Sequence, residues 1–204
     1  MGLKLRLLSF WTPKYIIRRE LAYVSDHTTT AIESLLQNHE TTEVPTNPKQ
    51  QMPATIEEQR ANMAQTHAKL VEALEAEFGH EKAVALGRET LFSIGESLGK
   101  LTRRRLGVGD NPKDMVEAAE ILYRVFGIEF HLDWLNESNA ILIIDRCALA
   151  EHYSPLTCEV LSATDEGIIK GLQPNSKMQF KEYMTNGCKK CKANIQFHKQ
   201  VTTK

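Results

Sequence analysis

The sequence predicts an α+β fold: an antiparallel sheet of about four strands packed against several long helices, with a helical arm at the N-terminus. Three observations lead there. Apolar residues recur at helical spacing from Tyr15 to Phe126, with one proline-containing interruption. The period switches to strand-like alternation just after Gly127. The remaining elements then run strand, strand, helix, strand, strand, an order that suits helices layered on one antiparallel sheet.

The opening Met1 to Glu20 sets Lys4, Arg6, Lys14, Arg18 and Arg19 among Leu, Phe, Trp, Tyr and Ile. An amphipathic helix with one packed face and solvated basic residues is the simpler reading. Contact with an anionic membrane surface is the sharper one. Helical spacing continues from Tyr15 to Gln37, after which Pro45, Pro48 and Pro53 mark a polar linker. The expected division is therefore an arm and linker over 1–53 and a main body over 54–204.

Thr55 before Ile56-Glu57-Glu58 signals a helix start, and Met63, His67, Leu70, Val71, Leu74 and Phe78 recur at helical spacing up to Gly79. A second helix is expected from about Glu81 to Leu106, with Val84, Leu91, Ile94, Leu98 and Leu101 as its apolar stripe. Its Gly87, Gly95 and Gly99 each cost about 1 kcal/mol relative to Ala in a helix interior, so close packing against a neighbouring backbone is expected. Arg103, Arg104 and Arg105 read as a solvated, dipole-complementing helix end. GVGD at Gly107 to Asp110 is not a phosphate loop, because no strand precedes it and no Gly-Lys-Ser/Thr follows.

Asn111-Pro112 opens a third helix of the body, ended by Gly127. Ile128 to Leu135 and Ala140 to Cys147 form a hairpin about Asn136 to Asn139. Ser154-Pro155 starts a helix that reaches Gly171 or Leu172, and strands near Lys177 to Met184 and Cys191 to His198 make a second hairpin.

Of 204 residues, 42% are hydrophobic and 25% charged, with a formal net charge of -1, so nothing marks a nucleic-acid binder. No apolar run nears the roughly 20 residues that cross a bilayer, and a cytoplasmic location is expected. In that compartment the four cysteines are expected as thiols or metal ligands rather than disulfides. Cys147, Cys158, Cys188 and Cys191 all fall in the C-terminal third, spaced C-x10-C-x29-C-x2-C. A C-x2-C pair in a turn can aim both sulfurs at one ion, so all four are candidate ligands of zinc or an iron-sulfur cluster. Unligated buried thiols are the alternative. Thioredoxin-like chemistry fits poorly, because the pair sits between strands rather than at a helix start. Cys158, near a helix N-terminus, is expected to be stabilised as a thiolate. Ser162 and Asp165 follow it at i+4 and i+7 on one face. Asp165 fits either a surface acid or a group that orients a water or binds an amine.

The order Cys147, Glu151, Cys158, Asp165, then Gly171-Leu172-Gln173-Pro174, a strand, Gly187, Cys191 and Phe197 resembles the L-2-amino-thiazoline-4-carboxylic acid hydrolase family. It is more distantly similar to the 4-vinyl reductase domain of small-molecule sensors. The resemblance spans roughly Ile56 to Phe197. Two positions depart from the family pattern: Ala148 stands where Pro is common, and Cys188 where an acid is common. The resemblance implies a pocket between helices and sheet for a small sulfur- or nitrogen-containing molecule. In the hydrolase, water opens a cyclic amidine, and Asp165 or Glu151 would serve as base beside a cysteine-bound metal. A non-enzymatic ligand or redox sensor with a structural four-cysteine site is the alternative. Homo-oligomerisation is left open.

Overall fold

The computed structural model describes residues 3–37 and 55–197. The proline-containing linker and His198 lie outside the described residues. Six helices run in order as α1 (Leu3–Phe10), α2 (Lys14–Gln37), α3 (Ile56–Phe78), α4 (His80–Leu106), α5 (Pro112–Phe126) and α6 (Pro155–Leu172). The described residues also form four strands: β1 (Ile128–Asn136) and β2 (Asn139–Cys147) before α6, then β3 (Ser176–Glu182) and β4 (Cys191–Phe197) after it. The expected α+β class is what forms. Among the described residues no helix is long and apolar enough to cross a membrane.

Helix ends follow local chemistry. Thr55 caps α3 in a capping box: its hydroxyl accepts the Glu58 amide, and its own amide donates to the Glu58 carboxylate, each at 3.0 Å. Asn111 and Ser154 cap α5 and α6, with Pro at the first helical position of both. Gly127 ends α5 with φ 70°, a left-handed turn that glycine adopts without a Cβ penalty, and the chain enters β1 directly. The single amphipathic helix expected at the N-terminus is two, because Pro13 separates α1 from α2.

The sheet order is β1-β2-β4-β3, antiparallel throughout. Register places Leu142 opposite Ala193 and Ala140 opposite Ile195, while Met178 and Phe180 face those same residues from β3. All are buried, so one face of the sheet is core and the other, with Lys177, Gln179, Asn194 and Gln196, is polar.

Helix α2 belongs to that core. Ile17, Leu21 and Val24 pack with residues of α3, α5, α6 and the sheet, and Ile32 and Leu36 join a second cluster with α3, α4 and α6. Of the expected α4 stripe, Leu91 and Leu98 are buried, whereas Val84, Ile94 and Leu101 are only partly so. The buried side is rotated toward the glycines. It runs through Ala83, Gly87, Leu91, Gly95, Leu98 and Gly99, because α6 lies against the glycines. A Cβ on Gly95 would fall onto the Thr164 carbonyl oxygen, and one on Gly99 onto that of Ile168. Gly167 and Gly171 of α6 meet the Phe92 and Glu96 carbonyls in the same way. Close packing is thus what the helical glycines provide. Arg103 is also not simply solvated: it donates to the Leu172 carbonyl at 2.8 Å and pairs with Asp110 at 2.6 Å.

Gly95→Ala should lower stability by about 3 kcal/mol or more in urea denaturation, because backbone must move to admit the methyl group. Gly87→Ala should lose much less. Its methyl meets side chains rather than backbone, Val160 at 2.7 Å and Leu74 at 3.8 Å, and the helix gains about 1 kcal/mol of propensity.

Candidate functional site

Between α6 and the inner face of the sheet lies a cavity of about 80 Å³. One water needs roughly 10–15 Å³ of such space, so several heavy atoms fit. The stripe expected on α6 reaches it: Cys158, Ser162 and Asp165 all line the wall, with Leu161 and Ile168 between and beyond them. Cys147 at the end of β2 and Cys191 at the start of β4 line it too. Ile144, Phe180 and Leu149 contribute to the apolar part of the surface.

Three of the four cysteines therefore converge, and Cys188 does not line the cavity. It sits half-buried in the β3–β4 connection, near Cys191, whose thiol burial pushes up, with Asp165 and Cys188 acting in the same direction. The Cys191 sulfur accepts the Met184 amide at 3.2 Å. Among the described residues, no three His, Cys, Asp or Glu side chains stand together in a group that could hold a metal ion. The expected four-cysteine centre finds no support in this arrangement. Two histidines that could complete a ligand set face elsewhere: His131 pairs with Asp145 at 2.6 Å, and His152 lies on an outer cleft.

The expected Cys158 thiolate is overturned. Its amide donates to the Ser154 carbonyl, so it lies one position beyond the free amides of the helix start. A helix terminus contributes about 0.3–1 kcal/mol to a nearby charge, less than one pH unit. Burial acts the other way and more strongly, and pushes the Cys158 thiol from 9.0 up to about 12. Burial likewise raises Cys147 to about 11. Both are neutral thiols at physiological pH.

Asp165 is not a surface acid. It is half-buried and lines the cavity, and burial, with Glu166 adding repulsion, raises its carboxyl from 3.8 to about 7. Glu151 is exposed in the 3-10 turn Ala150–His152 and lines the outer cleft with Arg60, Arg124 and Arg146, not the cavity.

Five polar residues of the wall, Thr28, His67, Tyr153, Thr164 and Tyr183, escaped the sequence reading as site residues. His67 of α3 and Thr28 of α2 are buried, and Thr28 Oγ1 lies 2.7 Å from His67 Nε2. The Thr28 hydroxyl hydrogen goes to the Val24 carbonyl at 2.8 Å, so Nε2 must be the donor to Thr28. Burial lowers His67 from 6.5 to about 4, so the ring is neutral and its Nδ1 accepts from the Tyr153 hydroxyl at 2.9 Å. Ser162 likewise gives its hydrogen to the Glu159 carbonyl at 2.8 Å, so the Tyr183 hydroxyl, 3.2 Å away, donates to Ser162. Both phenols spend their hydrogens on the protein. The only sequence signal was a histidine at an apolar position of the α3 stripe.

Arg88 holds this side of α6 from outside the cavity. It donates to Ser162 Oγ at 3.0 Å and pairs with buried Glu166 at 2.8 Å, whose other oxygen accepts the Phe180 amide at 3.1 Å.

The raised Asp165 pKa has a stability consequence. Between about pH 4 and about pH 7 the unfolded chain has lost this proton and the folded chain has kept it, so stability falls as pH rises through that window. Three pH units correspond to about 4 kcal/mol as an upper figure. Asp165→Asn should therefore raise the thermal midpoint relative to the parent more at pH 8 than at pH 4, at about 2–4 °C per kcal/mol. An equal difference at both pH values would show that the carboxyl titrates normally.

The family model described as L-2-amino-thiazoline-4-carboxylic acid hydrolase matches residues 59–195. A search of the curated proteins gives no match. Among solved structures, the fold is similar to a trafficking protein particle complex subunit 3 from Naegleria fowleri covalently bound to palmitic acid. The TM-score is 0.53 at 14% identity, over 69% of this chain and 95% of that one. It is also similar to the phenol-responsive sensory domain of the transcription activator PoxR with phenol, with TM-score 0.50 at 15% identity, over 83% of this chain and 90% of that one. The second agrees with the expected distant likeness to sensor domains. With the family match running from α3 to β4 and so through every cysteine of the cavity wall, the chain belongs to the L-2-amino-thiazoline-4-carboxylic acid hydrolase family.

Proposed function

We propose that the cavity binds a small, largely apolar molecule that bears N–H or O–H donors and no carboxylate, and that Asp165 serves as base in its hydrolysis. The observation that carries this reading is the acceptor character of an otherwise apolar wall. The Tyr153 and Tyr183 oxygens have given their hydrogens to His67 and Ser162, and the Asp165 carboxyl faces the same space. Thr164 Oγ1, on the cavity wall beside Asp165, is buried without a hydrogen-bond partner among the described residues. Hydrogen-bonding capacity at the Asp165 end is thus left for a ligand.

Among the described residues lining the cavity none is Lys or Arg, and His67 is neutral. A buried substrate carboxylate would meet no positive charge and would face Asp165. The favoured substrate class is therefore a cyclic amidine, thioamide or related sulfur-nitrogen compound without a carboxylate. The two structural neighbours are described with a small phenol and with palmitic acid, which supports an organic ligand in this fold.

In the reaction, the Asp165 carboxylate takes a proton from water as the water oxygen adds to the carbon of the protonated amidine and the C=N π pair settles on nitrogen. The protonated carboxyl then gives its proton to the ring sulfur as the carbon–sulfur bond breaks, and the added hydroxyl closes to the carbonyl and releases its proton to the carboxylate. A base near pH 7 suits this exchange, since both of its forms are populated. The thiols of Cys147, Cys158 and Cys191 remain protonated and shape the wall, and no step passes through a metal or a cluster. Glu151 is given no part, because it lies on the outer cleft.

The test compares 2-aminothiazoline-4-carboxylate with 2-aminothiazoline, reading binding by calorimetry and products by mass spectrometry. The compound without the carboxylate should bind more tightly and be turned over, with kcat/KM rising with pH to a plateau above about 7 as Asp165 loses its proton. Asp165→Asn should cost about 10²–10⁴ in turnover, the usual worth of a general base, and retain binding. Binding without product would favour the alternative of a ligand sensor in this fold, for which the phenol-responsive neighbour is the supporting observation. Iron, sulfide and zinc analysis of anaerobically purified protein should find no stoichiometric metal. Bound metal lost on Cys188→Ser would overturn the metal-free reading.

A further inference from the structure

We infer that the α1–α2 corner docks on an anionic lipid surface. Four of the large hydrophobic side chains exposed among the described residues fall within nine positions there: Leu7, Phe10, Trp11 and Tyr15. Phe10 is 92% exposed and the others 63–67%. The first 19 residues also hold Lys4, Arg6, Lys14, Arg18 and Arg19 and no acid, whereas acids outnumber bases over the remainder of the chain. Arg6 and Lys14 are exposed beside the aromatic residues. Aromatic rings at headgroup depth with basic residues around them are the chemistry that recognises an interface rich in anionic lipid.

The exposure is not that of a loose end. Leu5 is fully buried, and Arg124 of α5 donates to the carbonyls of Leu8 at 3.1 Å and Ser9 at 2.7 Å and to the Thr12 hydroxyl at 3.2 Å. The last turn of α1 is thereby fastened to the body, and Leu7, Phe10 and Trp11 are held outward at the proline corner. A second copy of the chain is a poorer occupant. A twofold contact through this face would set its basic residues against each other. A lipid surface satisfies both the apolar and the charged part.

The experiment uses the full chain with Trp134→Phe, so that Trp11 is the sole tryptophan. It is mixed with vesicles of phosphatidylcholine with and without phosphatidylserine, at low and high salt. Expected are sedimentation with the phosphatidylserine vesicles, quenching of Trp11 by brominated acyl chains, and loss of binding at high salt. Arg6→Gln and Lys14→Gln should each weaken binding roughly fivefold. Phe10→Ser with Trp11→Ser, read by sedimentation and with folding checked by circular dichroism, should weaken it more than tenfold. Equal partition into both vesicle types would overturn the inference, as would binding unchanged by the double serine variant. A concentration-dependent dimer abolished by that variant, without vesicle binding, would assign the face to a second copy instead.

Discussion

The contact between α4 and α6 is the constraint on which the rest of the structure depends. Gly95 and Gly99 on one helix and Gly167 and Gly171 on the other bring two backbones together where no Cβ could stand between them. Each glycine lowers intrinsic helix stability, and the close approach offsets that by burying α6 along most of its length. With one side of α6 committed to α4, the stripe of Cys158, Ser162 and Asp165 has to face the sheet. The position of the cavity is a consequence of how the two helices meet.

Burial then decides the chemistry of the groups on that stripe. The same low-polarity surroundings that keep the thiols protonated bring the Asp165 carboxyl near neutrality, because desolvation always disfavours the charged form. The cavity thus combines thiols that hold their protons with a carboxyl able to exchange one. Glu166, the next residue along, turns to another side of the helix, where it pairs with Arg88 and accepts the Phe180 amide. Adjacent acids on one helix serve separate ends: one anchors β3 and α4 to α6, and the other faces the ligand space.

The arm over α1 and α2 serves two surfaces at once. Its inner side supplies Thr28, which sets the tautomer of His67 and through it the orientation of the Tyr153 hydroxyl. Its outer side at the proline corner carries the exposed aromatic residues. A protein working on an apolar ligand would have this surface and the cavity linked by one helix, α2, whose Val24 and Thr28 stand on the cavity wall.

The sequence by itself determined the elements, because their signals are local. Thr55, Asn111 and Ser154 cap helices through atoms two or three residues away, Gly127 marks the change from helix to strand, and alternation in β4 selects the buried face of the sheet. It also brought Cys158, Ser162 and Asp165 to one face by helical spacing, and the family order ran through Cys158 and Asp165. Only the tertiary structure decided what those groups are. Whether a thiol near a helix start is charged depends on burial by β4 and the β3–β4 connection, and no local pattern encodes the sign of that competition. The C-x2-C spacing placed Cys188 near Cys191 but could not show that the strand start turns Cys191 toward the cavity while Cys188 stays outside its lining. The Thr28–His67–Tyr153 relay joins residues 39 and 86 positions apart. Its hydrogen-bond directions follow from three-dimensional neighbours alone, so the acceptor character of the cavity emerges only once the chain is folded.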